Sequence, residues 1–332
     1  MEYGGLAEWL KAQVSKTCGF FKPAQVRILY PPHSFAIYFL NDFVYSCQYM
    51  HWVIVASIVF FSSTALYLIL RKATLLKIPN EIQSLSLFLF PAIGLLLINI
   101  SRHVSMYIST AQFLILLAAA SVLWLGNTTL LKSMETTPNP GYTVVIAKSY
   151  LLITTFFSAI FFGSFLSTQT LIGSGCIVLF LFLILVEKSH RSSHGTRWLL
   201  CALVTFFMWG FEALLIISLK NSPIDAPIIL MYISFFYSLM ATGEIIVKKT
   251  RIQHIKQYVL WIGLISACSL CLNLFQIIGY RIAPNPGFID ASGAASVGAI
   301  TFCAVFLFHD HLTIRKSIGI VGILFGLALL II

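Results

Sequence analysis

From residue 51 onward the chain is a succession of apolar stretches, each about twenty residues long and separated from the next by a short polar break. About twenty residues at ~1.5 Å rise cross the ~30 Å hydrocarbon layer of a bilayer. Inside that layer every backbone N–H and C=O must find its partner within the protein, so long apolar runs become helices. The pattern predicts spans over 51–71, 82–101, 110–132, 141–162 and 168–186, then 197–219, 226–247, 257–281, 286–308 and 313–332. The expected fold class is an all-α integral membrane protein with ten transmembrane helices.

The spans fall into two sets. Pro138-Asn139-Pro140-Gly141 recurs as Pro284-Asn285-Pro286-Gly287, 146 residues later. The same offset, without a gap, aligns Trp52 with Trp198, Phe60-Phe61 with Phe206-Phe207, Asn127 with Asn273, Thr155 with Thr301, Leu166 with Leu312, and Ile172-Gly173 with Ile318-Gly319. A period of this kind fixes architecture before any other feature. It divides the chain into a first repeat over 50–187, a linker over 188–196 and a second repeat over 197–332. In both copies Pro138/Pro284 and Gly141/Gly287 are expected to stop one helix and start the next. Proline cannot continue a helix but suits the first turn of a new one, and glycine permits the reversal. Five spans per repeat is an odd number, so the second repeat enters the membrane from the opposite face. The expectation is an inverted repeat, which suits alternating access around a central site.

Composition agrees with the membrane reading. The chain is 59% hydrophobic and 10% charged, against about a quarter charged in soluble domains. Mean hydropathy is +0.92. The net charge of +10 does not point to nucleic acid, because the Lys and Arg residues lie between the apolar runs, where membrane orientation places them. The seven cysteines form no disulfide or zinc pattern; Cys268 and Cys271 lie within one apolar run as packing residues.

Residues 1–49 match neither repeat and carry no secretory pattern. The stretch 4–32 resembles the conceptual translation of a serine-type transfer-RNA gene. Leu6-Ala7-Glu8-Trp9 can be read from the D-arm consensus and Val26-Arg27-Ile28 from the T-arm. On that resemblance the natural chain is expected to begin near Met50. The competing reading is an amphipathic or disordered arm.

Loop charge predicts orientation. One side holds Arg71, Lys72, Lys77, Lys132, Lys188, Arg191, Arg197, Lys248, Lys249, Arg251, Lys256, Arg315 and Lys316; the other holds Arg102, Lys220 and Arg281, plus four more if residues 1–49 are real. The richer side is expected in the cytoplasm, which turns both termini outward.

Three features of residues 50–332 resemble the drug/metabolite transporter superfamily, EamA-like type. The first span of each repeat ends in basic residues, Arg71-Lys72 and Lys220, the latter after Phe207-Met208-Trp209-Gly210, whose Trp-Gly pair is similar to the family's mark in that helix. A tight Pro/Gly turn joins the third and fourth helices. The fourth helix ends in Phe161-Phe162-Gly163-Ser164-Phe165-Leu166-Ser167, and its counterpart in Leu307-Phe308-His309-Asp310-His311-Leu312-Thr313. The family's glutamate in this pattern is replaced by Ser164 and by Asp310, so no acidic coupling residue carries over to the first repeat. The resemblance also implies cytoplasmic termini, against the loop charges, and implies that the fourth and ninth spans line a central cavity.

An ionised group within hydrocarbon costs at least ~2.5–3.5 kcal/mol and is a functional candidate by default. Lys148 lies about two turns inside the fourth span, Glu212 in the inner part of the sixth and Asp290 one turn inside the ninth. The functional expectation makes Lys148 the contact for a substrate carboxylate or phosphate, and Glu212 or Asp290 a proton or amine site. The alternative is an internal ion pair that only fixes packing. Asn127 and Asn273, aligned by the same offset, are expected to hydrogen-bond between helices, with substrate contact as the alternative, and Trp209 and Tyr150 to line the pathway or pack. Glu244, four residues before Lys248, suggests an interfacial ion pair. His309-Asp310-His311 reads as an exposed turn.

No nucleophile–base pair, Gly-rich phosphate loop or zinc spacing appears in the sequence, so an enzyme is not expected and no cofactor is implied. The expected function is a gradient-driven secondary transporter of small organic metabolites across the cytoplasmic (inner) membrane. Its partners would be a small-molecule substrate, a proton or counter-substrate, and the lipid bilayer, with the chain a monomer or homodimer. The alternative is an exchanger of phosphorylated metabolites or nucleotide sugars.

Overall fold

The computed structural model describes residues 51–136, 140–185, 197–250, 255–308 and 314–331. Residues 1–49, the linker 188–196, Pro138-Asn139 and His309-Asp310-His311 lie outside this set, and so do the expectations attached to them. The described residues form helices joined by short turns, with no strand among them. In chain order these are α1 (Trp52–Leu75), α2 (Asn80–Ser101), α3 (Thr110–Thr136), α4 (Pro140–Lys148), α5 (Leu151–Phe162), α6 (Thr168–Leu185), α7 (Arg197–Ser218), α8 (Ala226–Lys248), α9 (Ile255–Ile282), α10 (Gly287–Phe308) and α11 (Ile314–Ile331).

Among the described residues, seven helical stretches are long and apolar enough to cross a membrane: α1, α2, α3, the run Thr143–Phe162, α7, α8 and most of α9. The apolar parts of α6, α10 and α11 are shorter. Large apolar side chains stay exposed on many helices, including Phe61, Ile160, Phe161, Leu200, Phe211 and Val321. Water would penalise such a surface, and lipid would not. The chain therefore reads as a multi-pass membrane protein.

Helix ends follow local chemistry. His51 caps α1 by accepting from the Val53 N–H at 3.4 Å. Gly163 ends α5 in the left-handed region at φ 62°, which glycine adopts without strain. The expected fourth span is divided at Ser149-Tyr150. Ser149 Oγ bonds the Val145 carbonyl at 2.8 Å, while Tyr150 N–H bonds Ala147 O at 3.1 Å and Leu152 N–H bonds Ser149 O at 3.0 Å. These i−3 bonds tighten the turn directly after Lys148, and serine back-bonding of this kind bends helices.

Packing runs between the two halves of the chain. The most extensive pairings are α1 with α9, α3 with α7, α2 with α8 and α6 with α11; α10 packs on α1 and α5, and α7 on α4 and α5. Small residues set several of these contacts. A Cβ on Gly173 would lie 2.9 Å from the Gly326 carbonyl oxygen, and one on Gly326 would lie 2.9 Å from the Gly173 oxygen, so α6 and α11 meet backbone to backbone. Gly126 admits the Trp209 indole to α3 in the same way, 2.9 Å from its own notional Cβ.

Polar ties collect at the two ends of the helices. At one end Lys248 bridges Glu81 at 2.9 Å and Glu244 at 2.7 Å, Asn80 bonds Glu135, and Ser133 Oγ donates to the Trp198 carbonyl at 2.8 Å. Glu244 also accepts from Trp124 Nε1 at 3.2 Å and Thr128 Oγ1 at 3.4 Å, so its role exceeds the ion pair expected with Lys248. At the other end Tyr232 OH donates to Met106 O at 2.8 Å, Arg281 donates to Ile224 O, and Phe165 N–H bonds Pro284 O at 3.3 Å.

The second Pro-Asn-Pro-Gly is part of this last cluster. Asn285 is fully buried. Its Oδ1 accepts from the Gly287 N–H at 2.8 Å and from Ser158 Oγ at 3.1 Å, while Nδ2 donates to Phe165 O at 2.9 Å and Thr155 O at 3.4 Å. One side chain thus starts α10 and fastens it to the end of α5. Gly141, in the first copy, occupies the first turn of α4.

Candidate functional site

Helices α1, α2, α3, α4, α7 and α9 surround one cavity of about 750 Å³ including its open mouth. Most of its wall is leucine and aromatic, with Leu66, Leu70, Leu87, Phe88, Leu123 and Leu130 among the lining residues. The side chains that bring polar groups to that wall are Tyr67, Gln83, Asn127, Lys148, Tyr150, Trp209, Glu212, Ser269, Asn273 and Gln276. A second, smaller hollow shares Phe88, Leu123, Glu212, Asn273 and Gln276 and runs on to Ile216, Leu230, Ile233, Ile277 and Tyr280.

Lys148 is the last residue of α4, 6% exposed. Its ammonium lies 5.1 Å from the Tyr67 ring centre and 5.4 Å from that of Trp209, within the range where a cation is attracted to an aromatic face. No carboxylate reaches it within ion-pair distance among the described residues. Glu212 sits three residues beyond Trp209 on α7, 9% exposed, and its carboxyl group likewise makes no hydrogen bond among the described residues. Gln83 Oε1, on the same cavity, is buried without a hydrogen-bond donor. Unsatisfied polar groups buried in an apolar surround are costly. A ligand that engages them recovers that cost.

Asp290 does not line the cavity. It lies behind the wall, 1% exposed, at the first turn of α10. Its Oδ1 accepts from Tyr280 OH at 2.7 Å, Tyr150 OH at 2.9 Å and Gln276 Nε2 at 2.9 Å. Gln276 also approaches Tyr150 OH at 3.1 Å and Tyr280 OH at 2.6 Å. The Tyr150 ring meets Trp209 edge to face, with centres 5.8 Å apart. Asp290 is thus hydrogen-bonded to two residues of the cavity wall, Tyr150 and Gln276.

Asn127 and Asn273, which lie 146 residues apart, behave differently. Asn127 bonds between helices: its Oδ1 accepts from Trp209 Nε1 at 3.0 Å and its Nδ2 donates to Tyr237 OH at 3.1 Å. Asn273 was expected to do the same, and it does not. Its Nδ2 turns back to Ser269 O at 2.8 Å and Ser269 Oγ at 3.1 Å on its own helix, because serine one turn earlier satisfies it locally.

The fold brings Lys148, Glu212, Trp209, Tyr150, Asn127 and Asn273 to one cavity, sets Asp290 behind it, and leaves Pro284 and Gly287 at the end of the helices. Sequence reasoning passed over Tyr67, Tyr237, Tyr280 and Gln276, and gave Asn285 no role beyond its place in the recurring tetrapeptide. One signal was present: Ser269, Asn273, Gln276 and Tyr280 follow each other at spacings of four, three and four, a polar stripe on one face of an apolar helix.

No protein-family model matches the sequence, and no curated protein sequence matches it. A solved crystal structure, described only as that of a protein, is similar in fold: the TM-score is 0.68 at 13% identity, over 82% of this chain and 97% of that one.

Proposed function

We propose that the chain is a gradient-driven secondary transporter of small organic metabolites, working by alternating access across the cytoplasmic membrane. The observation that carries this reading is the pair Lys148 and Glu212. Both are buried among apolar helices, face one cavity and make no hydrogen bond or ion pair with each other or any described residue. A pair kept only for packing would be expected to close on itself.

The proposed architecture is an inverted repeat of ten spans, as the resemblance to EamA-like drug/metabolite transporters implies, and the helix pairings support a two-fold relation between the halves. Under the 146-residue offset α1 corresponds to α7 and α3 to α9, so the α1–α9 contact exchanges with the α3–α7 contact. The α2–α8 and α6–α11 contacts each exchange with themselves. This is the pattern of a two-fold relation between halves. Loop charge assigns the end carrying Lys77, Lys132 and Lys248 to the cytoplasm. Lys148 is the one Lys or Arg on the cavity wall among the described residues, which favours a substrate with a single anionic group over a phosphorylated metabolite or nucleotide sugar.

The test is accumulation or efflux in vesicles across a panel of metabolites, with and without a proton gradient. Transport of at least one compound that is lost in Lys148→Ala supports the reading. A panel that finds none, with protein in the membrane, refutes it.

A further inference from the structure

From behind the cavity wall, at Ser84 and Tyr237, a run of four hydrogen-bonding side chains on four helices passes through the wall residue Asn127 to Trp209, the ring that covers Lys148. Ser84 Oγ on α2 pairs with Tyr237 OH on α8 at 2.8 Å, and Tyr237 OH accepts from Asn127 Nδ2 on α3 at 3.1 Å. Asn127 Oδ1 accepts from Trp209 Nε1 on α7 at 3.0 Å, and the Trp209 ring lies 5.4 Å from the Lys148 ammonium. Tyr237 is fully buried and does not line the cavity, and its ring packs on Phe88 with centres 4.2 Å apart.

We infer that Tyr237 is a positioning residue for the cavity: through Asn127 it holds the Trp209 indole in the plane that seats the Lys148 ammonium toward a ligand. Three observations carry this. The indole has one N–H donor, and that donor is spent on Asn127, so the ring cannot turn about its long axis without losing the bond. Gly126 lets the indole approach α3 so closely that a Cβ there would stand 2.9 Å from its Cδ1, which leaves the ring no second seat on that side. The relay is also absent from the related position in the other half, where Asn273 bonds only to Ser269. A device needed merely to pack two like repeats would be expected in both. This one occurs only where the buried lysine is.

The inference rests on the reading of Lys148 as a ligand contact, and its test separates the two. Full-length protein in proteoliposomes is treated with N-hydroxysuccinimidyl acetate, and acetylation of Lys148 and of exposed Lys132 is followed by mass spectrometry of their peptides. In Tyr237→Phe and in Ser84→Ala the rate at Lys148 should change by about fivefold, the factor equivalent to one neutral hydrogen bond of about 1 kcal/mol, with Lys132 unchanged. For a substrate found in the vesicle panel, KM should shift by a similar factor while the maximal rate stays within about twofold. Should Tyr237→Phe fail to fold, Ser84→Ala decides alone, since it removes only the outermost hydroxyl. An unchanged Lys148 rate, or equal changes at Lys148 and Lys132, overturns the inference. If no compound is transported but Lys148 alone responds, the positioning role stands and the transport reading falls.

Discussion

Gly287 lies so close to Thr155 that a Cβ built on it would stand 2.8 Å from the Thr155 Cα. The neighbour is backbone and cannot swing aside, so the contact tolerates hydrogen and nothing larger. Gly287→Ala should destabilise the protein by roughly 1–3 kcal/mol, the usual range for an overpacked contact. Thermal unfolding in detergent would show a midpoint several degrees lower; an unchanged midpoint would mean that α10 does not sit against α5 as described.

Asn285 offers a harder case, because its side chain serves four partners at once in a site closed to water. Asn285→Ala strands groups that cost about 1–3 kcal/mol each when buried unpaired. Asn285→Asp should be worse, since it removes the donor to Phe165 O and adds a charge. Monodispersity after graded heating reads both variants, and wild-type behaviour in either contradicts the hydrogen bonds assigned to this residue.

At the cavity, Lys148→Ala and Glu212→Gln should each abolish transport while the protein still reaches the membrane in normal amounts. Expression and rate are measured on the same vesicles. If both variants move substrate at the normal rate, the ligand contacts lie elsewhere.

The ion pairs at the basic end should matter little by comparison. Lys248 is half exposed, and exposed pairs are typically worth less than ~1 kcal/mol and fade in salt. Lys248→Ala should barely shift unfolding, whereas Glu244→Ala should shift it more, because Trp124 and Thr128 also lose their acceptor. Equal effects would show that the carboxylate's other two bonds contribute nothing.

Topology can be checked directly. With the seven native cysteines replaced, cysteines placed at Lys77 and Lys220 should react with an impermeant maleimide from opposite sides of the membrane. Reaction of both from the same side is incompatible with two oppositely inserted halves.

The helices were legible because their signal is thermodynamic and long: twenty apolar residues in a row have few alternatives in lipid. The recurrence at 146 residues was legible from identity alone, through Pro-Asn-Pro-Gly and the residues aligned with it. The divided helix at Ser149-Tyr150 was not, since one serine oxygen bonding back to Val145 leaves no mark in an apolar run. Lys148 and Glu212 stood out because charge in hydrocarbon is rare. Their surroundings did not, because a tyrosine such as Tyr237 reads as bulk until its hydroxyl is seen between Ser84 and Asn127. Asn273 shows the limit from the other side: an identical residue at the related position finds a nearer partner in its own helix.

The glycine-to-glycine seat of α6 on α11 has a mechanical consequence. Neither helix supplies a residue to the cavity wall, and their backbones are already in contact at Gly173 and Gly326. In the carrier proposed above, such a joint would act as a fulcrum, rigid along its length while the cavity walls rock. A bulkier side chain there would slow turnover while leaving the affinity of the empty site as it was.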